Sequence, residues 1–212
     1  MHKPMLSRRG LLAQLGCALP IVGLTANAWA QGGPTVTPRQ TEGPFYPRQK
    51  PADIDNDLTA FGTSSRPAVG DQLTVQGRVL DRSGNPIPGA RVEFWHCDTH
   101  GTYHHVGSDG QIDQYFQGYG EMLTDVEGHY DFRTIKPGIY PGRACHIHFK
   151  VFAPGHRPLT SQMYFDTEME ANLRDGIYRR LSEAERKAVT LSTSSRSGRQ
   201  SSIEGQLDVV VA

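Results

Sequence analysis

From Asp71 onward the chain is cut into short runs rich in Val, Ile, Phe, Tyr and Thr, and that pattern constrains the fold more than any other feature. DQLTVQGRVLD, RVEFWHCD, GHYDFRTI, RACHIHFKVFA, LTSQMYFD and GQLDVVVA are each about the length of a strand. SGNPIPG, DVEG and KPG fall between them and carry turn chemistry. Six such runs predict an all-β domain over residues 71–212, an antiparallel β-sandwich. Only residues 168–190 break the pattern. There SEAERKAV begins with Ser182 and places Glu185 three residues on, the capping-box spacing, so one short C-terminal helical insertion is expected. Residues 31–70 are rich in Pro, Gly, Asp and Thr without periodicity and read as an extended N-terminal arm.

The first thirty residues have a different texture. Arg8 and Arg9 follow Ser7, an apolar run of about 15 residues comes next, and Ala28-Trp29-Ala30 offers a small-x-small cleavage signal. Residues 1–30 therefore read as a signal peptide of the twin-arginine type, which moves folded proteins into the periplasm or out of the cell. Its removal takes away Cys17 and leaves Cys97 and Cys145, whose pairing the spacing leaves open. With 22 basic and 22 acidic residues the chain presents no field of one sign, so nucleic acid and an anionic membrane surface are disfavoured as partners. Small molecules are the expected ones.

Seven of the nine histidines, at positions 96, 100, 104, 105, 129, 146 and 148, fall within one stretch of the chain. Singly, each reads as a surface or satisfied core residue. His146 and His148 differ because alternation throws both onto one strand face, with Cβ atoms roughly 6.5 to 7 Å apart. That separation lets two imidazoles converge on one ion, although an HxH pair alone leaves metal binding open. Neither a cysteine pair nor an HExxH stands ready to complete a zinc site. Tyr103 in THGTYHH and Tyr140 in KPGIYPG sit at turns, where a tyrosine can equally be a packed aromatic.

TEGPFY, GNPIPGARVEFWHCDTHGTY, LTDVEGHYDFRTIKPGIYPGRACHIHF and LTSQMYF together resemble the intradiol ring-cleavage dioxygenases, most closely the exported protocatechuate 3,4-dioxygenase beta-subunit-like branch. The resemblance runs from about Thr41 to Phe165. It implies a non-haem Fe(III) held by Tyr103 and His146 as equatorial ligands and by Tyr140 and His148 as axial ones, with Arg143 beside the substrate. Tyr140 would be ligand and general base by turns. Two phenolates and a hydroxide would neutralise Fe(III), and a catecholate dianion could replace the hydroxide and the Tyr140 phenolate without changing the net charge. The implied reaction opens a catechol-type ring between its two hydroxyl carbons with O2, giving a cis,cis-muconate-type diacid. Arg143 would stabilise charge developing during attack. Gly43, Pro44, Phe45 and Tyr46 are expected to wall the substrate pocket. Only Pro141 and Gly142 separate Tyr140 from Arg143, a shorter loop than in the longer cytosolic relatives. It implies a more open rim.

Two other readings compete. VxDxxGxPIxGAxV and TDxxGxYxF textures also occur in transthyretin-like, or prealbumin-like, β-sandwiches that act as binding modules, because they report strand and turn physics and not chemistry. A different metal is the second, for instance Fe(II) on two histidines and a carboxylate, or zinc or copper using His96 or His105. The resemblance leaves the particular catechol open. Oligomeric state is open as well, since nothing before Asp71 resembles the helical dimerisation segment of the cytosolic catechol enzymes.

Overall fold

In HIHFKVF the apolar residues Ile147, Phe149 and Val151 occupy one parity and His146, His148 and Lys150 the other, so a strand here has a core face and a chemical face. A computed structural model describes residues 33–64, 66–104, 110–196 and 202–212. Residues 1–30, the expected signal peptide, and His105 lie outside the described residues.

The chain forms β1 (Gln72–Leu80), β2 (Arg91–Trp95), β3 (Tyr119–Leu123), β4 (His129–Ile135), β5 (His146–Phe152) and β6 (Leu159–Phe165). After them come two short helices, α1 (Met169–Arg174) and α2 (Glu183–Lys187), and then β7 (Thr190–Arg196), β8 (Ser202–Gln206) and β9 (Val209–Val210). The strand order is β3-β2-β5-β6-β7-β8-β1-β4, with β9 also on β1. One layer is β3, β2, β5 and β6, all antiparallel, and the other contains β8, β1 and β4. The β7 strand joins them: Thr190 and Leu191 pair with Tyr164 and Phe165, and the residues from Ser192 on pair with β8.

The expected sandwich is present, but its sheet is mixed and not wholly antiparallel. Strands β6 and β7 run parallel, as do β1 with β8 and β1 with β9. The helical insertion between β6 and β7 supplies the crossover that a parallel pair requires and a hairpin cannot make. Strands β3 and β7 lie wholly outside the six apolar runs, and β8 overlaps the last of them only at Gly205 and Gln206. In β7, TLSTSSR lacks apolar alternation, and in β3 the sequence YGEML is interrupted by Gly120 and Glu121. The insertion holds two short helices where one was expected. Its α2 start is the predicted box: the Ser182 hydroxyl accepts from the Glu185 amide at 3.3 Å, and the Glu185 carboxylate accepts from the Ser182 amide at 2.8 Å.

The core lies between the layers. Val92, Phe94, Ile147, Phe149 and Met163 meet Leu73, Val75, Tyr130 and Phe132, all buried. Phe94 stacks on Phe132 with centroids 3.9 Å apart. Each buried side chain of this size stabilises the fold by about 1.5–3 kcal/mol relative to exposure. Among the described residues no helix is long and apolar enough to cross a membrane.

The opposite face of the β2, β5 and β6 layer carries Glu93, Trp95, His146, His148, Gln162 and Tyr164, and these polar and aromatic residues are buried too. The arm from Gln40 to Ile54 accounts for that. It runs over this face, held by Gln40 N–H donating to Thr160 O at 2.9 Å, Gln162 Nε2 to Thr41 O at 3.1 Å and Glu121 N–H to Ile54 O at 2.7 Å. A polar clasp adds to it: Lys50 pairs with Glu93 at 2.9 Å and with Glu121, Tyr46 donates to Glu93 at 2.8 Å, and Lys150 pairs with Glu42.

Candidate metal centre

Strand β5 brings the Nε2 atoms of His146 and His148 to 3.2 Å from each other, and the Tyr140 hydroxyl lies 3.1 Å from His146 Nε2. His146 Nδ1–H donates to the carbonyl of Ala144 at 2.6 Å, which leaves its Nε2 as a lone pair aimed into the cluster. His148 Nδ1 is buried without a partner. Neither tautomer of His148 satisfies both nitrogens. With the proton on Nδ1, that N–H has no acceptor and two lone pairs face each other at Nε2. With it on Nε2, His148 and Tyr140 compete for the single lone pair of His146. Burial pushes the His146 pKa down to about 4, with Arg143 adding to the effect, and holds His148 well below the ordinary value. Both rings are therefore neutral electron-pair donors at neutral pH.

Two glycine-supported turns deliver the tyrosines. Gly101, at φ +79°, and Gly138 let the Tyr103 and Tyr140 loops cross backbone to backbone: a Cβ on Gly101 would stand 2.7 Å from the Ile139 carbonyl oxygen. Gly138 N–H donates to Asp98 O at 2.9 Å at this crossing. Tyr103 is buried, its ring stacked on Phe45 with centroids 4.3 Å apart and 5.8 Å from the Tyr140 ring. Its hydroxyl meets no partner in good hydrogen-bonding geometry, the Tyr140 hydroxyl being close enough to interact with it but not to satisfy it. Burial, and then the neighbouring Tyr140, raises the Tyr103 phenol well above 10, and burial raises Tyr140 against the opposing pull of Arg143. Surplus lone pairs and an unsatisfied buried phenol are what a cation would satisfy.

Arg143 places Nη1 3.3 Å from the Tyr140 oxygen. Its Nε donates to Asp175 at 2.8 Å, and Nη2 to Gln162 and to the Tyr164 hydroxyl at 3.3 Å. Gly43, at φ +71°, lies against His148, where an added Cβ would come 3.6 Å from Cε1. Phe45 packs on both tyrosines, meeting Tyr140 edge-on at 5.9 Å. Tyr46 points elsewhere: its hydroxyl is committed to Glu93 and its ring meets Trp95 edge-on at 4.9 Å under the Lys150 ammonium. Pro44 is exposed.

Three site neighbours escaped the sequence reading. Gln162 and Tyr164 sit opposite His148 and His146 in the β5/β6 register, and the alternation of LTSQMYF placed them on that parity. Asp175, in the helical insertion, had no signal. Among the described residues, which do not include His105, the alternative metal sites find no support in the donors. His96 is a satisfied core residue, with Nδ1 on Cys97 O at 2.8 Å and Nε2 on Thr134 Oγ1 at 2.7 Å. Among the described residues no three His, Cys, Asp or Glu side chains converge. Cys97 and Cys145 are free buried thiols, each pushed up to about 12 by burial.

Fold and cluster together define a β-sandwich protein with two histidines and two tyrosines meeting under an N-terminal strap. A dioxygenase family model matches residues 41–212, and the chain belongs to the intradiol ring-cleavage dioxygenase family. It is 38% identical over 138 residues to the protocatechuate 3,4-dioxygenase beta chain of Burkholderia cepacia, covering 60% of this chain and 58% of that one. It is 34% identical over 152 residues to the catechol 1,2-dioxygenase of Acinetobacter baylyi, covering 63% and 48%. The chain thus spans about half to three fifths of the length of these curated relatives. Among solved structures, the dioxygenase domain of a dioxygenase and carbohydrate-binding protein fusion from Streptomyces sp. SirexAA-E is similar at 35% identity and a TM-score of 0.64, covering 83% of this chain and 97% of that one. The catechol 1,2-dioxygenase of Acinetobacter sp. ADP1 follows at 28% and 0.66, covering 83% and 62%.

Proposed function

We propose that this protein is a non-haem Fe(III)-dependent intradiol dioxygenase, which opens catechol-type rings between the two hydroxyl carbons with O2 to give cis,cis-muconate-type diacids. The observation that carries the reading is the chain of contacts centred on His146 Nε2, with the Tyr140 hydroxyl at 3.1 Å and His148 Nε2 at 3.2 Å, beside the buried hydroxyl of Tyr103. Two phenols and two imidazoles suit a hard trivalent ion better than zinc or copper. Tyr103, Tyr140, His146 and His148 would hold it. Bound Fe(III) would supply Lewis acidity, lowering the pKa of the phenols and of the catechol hydroxyls and drawing electron density from the ring.

The protein's own groups do the rest. The Ala144 carbonyl keeps the His146 proton on Nδ1, and Phe45 stacked on Tyr103 keeps that phenol in one orientation. Tyr140 is partly exposed while Tyr103 is buried, so Tyr140 is the tyrosine with room to swing away and accept a catechol proton. Arg143 Nη1, already 3.3 Å from the Tyr140 oxygen, would meet the charge that develops there. Gly43 against His148 walls the other side without filling it.

The test is oxygen uptake by the iron-loaded protein over a panel of substituted catechols, with the product diacid read by absorbance. A burgundy protein that consumes O2 with catechols is expected. A colourless protein holding stoichiometric zinc and consuming no O2 overturns the reading. Export by the twin-arginine route to the periplasm or beyond belongs to the same proposal, supported by Arg8, Arg9 and Ala28-Trp29-Ala30. Arg8→Lys with Arg9→Lys should retain the protein in the cytoplasm on fractionation; unchanged export points to the general secretory route.

A further inference from the structure

The guanidinium of Arg143 touches the cluster, and a carboxylate from outside the strands governs it. Asp175 follows α1 as its C-cap, is fully buried, and uses both oxygens. Oδ2 accepts from Arg143 Nε at 2.8 Å and from the Ala144 amide at 3.0 Å. Oδ1 accepts from the amides of Ile177 at 2.8 Å and Tyr178 at 3.1 Å. A carboxylate held by four N–H donors has one orientation, and it sets the plane of the guanidinium. Nη2 is then taken by Gln162 and Tyr164, and Nη1 is left pointing at Tyr140.

The pairing also decides charge. Arg143 and Asp175 together are neutral, and three further cations on this face are matched as well: Lys150 by Glu42, Lys50 by Glu93 and Glu121, and Arg91 by Glu93 at 3.2 Å, while Arg39 and Arg48 of the arm are exposed. Backbone donors and Arg143 keep the Asp175 carboxyl below the usual carboxylate range, against the effect of burial, so the pair stays charged on both sides at neutral pH. An anionic ring substituent would find each of these paired cations already compensated and would lose its hydration on entering.

We propose that Asp175 is the positioning residue of Arg143 and cancels its charge toward the pocket, so that the site takes catechols whose ring carries no anionic substituent and discriminates against carboxylated ones. This rests on the ring-cleavage reading above. The alternative is a purely structural Asp175 that caps α1 and ties the insertion to β5, with no influence on the substrate.

The experiment compares 4-methylcatechol with 3,4-dihydroxybenzoate, a pair of similar shape and different charge, on the full iron-loaded chain. The wild type should favour the methyl compound by about tenfold or more in kcat/KM. Asp175→Asn should lower kcat for 4-methylcatechol about 10–100-fold through misplacement of Arg143. The same variant should move the ratio at least about tenfold toward the carboxylate, because Arg143 is left uncompensated. Dissociation constants measured by calorimetry without oxygen should move in the same order, and Asp175→Glu should recover part of the discrimination. A wild type that prefers the carboxylated substrate overturns the proposal, as does an Asp175→Asn variant in which both substrates lose equally. If that variant does not fold, the wild-type ratio decides. A wild type that turns over neither compound sinks the ring-cleavage reading, while the calorimetric ratio still judges the charge cancellation.

Discussion

The indole of Trp95 lies over the imidazole of His148, centroids 4.9 Å apart and planes within 12° of parallel. The sequence holds two tryptophans, Trp29 and Trp95, so protein lacking residues 1–30 has only this reporter. Iron bound to His148 and coloured by its tyrosine ligands should quench the Trp95 emission strongly, and zinc should quench it little. Titrating metal-free protein while following fluorescence checks this. Emission that is unchanged at full iron loading removes His148 from the ligand set.

Tyr103 supplies a test in which stability and iron binding move in opposite directions. Its buried hydroxyl has no well-formed hydrogen bond, so Tyr103→Phe should leave the metal-free protein as stable as the wild type or about 1 kcal/mol more stable. The same change deletes a ligand. Iron content after dialysis should fall, with loss of part of the visible band. Denaturant melts of the metal-free forms beside metal analysis give both readings, and a variant that loses stability while keeping full iron argues for a purely packing role.

Tyr140 is partly exposed and its hydroxyl is shared between His146 and Arg143. Tyr140→Phe should keep most of the iron, because Tyr103 and both histidines remain, but it loses the group proposed to take a catechol proton. Stopped-flow mixing with catechol in the absence of oxygen should show association slowed by about 10²-fold or more, the usual weight of a positioned acid or base. Unchanged association kinetics would take Tyr140 out of substrate activation.

How much was legible in the sequence follows from which forces are local. Alternation in HIHFKVF put His146 and His148 on one face, and the same rule, applied to LTSQMYF, would have put Gln162 and Tyr164 beside them. The turns carrying Tyr103 and Tyr140 were visible as turns, yet that they cross at Gly101 and Gly138 is a tertiary fact. Asp175 lay beyond reach: it meets Arg143 across 32 residues only because the helical insertion folds back on β5. The parallel place of β7 was equally hidden, since its Thr and Ser residues have no apolar period and its partner is chosen by where the insertion ends. Burial of the chemical face came from the arm, whose irregular sequence has no periodicity to announce what it covers.

His96 makes folding stability depend on pH. Burial holds its pKa at about 4 against an ordinary 6.5, and both nitrogens are engaged, on Cys97 O and Thr134 Oγ1. Between those values the unfolded chain binds a proton that the folded chain refuses. The stability contributed is therefore fully present above about pH 6.5 and is lost as pH falls toward 4, by up to about 3 kcal/mol for this residue. His146, shifted the same way in the metal-free protein, adds to the slope of wild type and variant alike, so the difference between the two curves, both taken metal-free, isolates His96. His96→Gln should be less stable than wild type at pH 8 through lost packing and hydrogen bonds, and its stability should fall less steeply on acidification. Denaturant unfolding at half-unit steps from pH 8 to 4.5 measures both curves; if they run parallel, the acid sensitivity belongs to other groups.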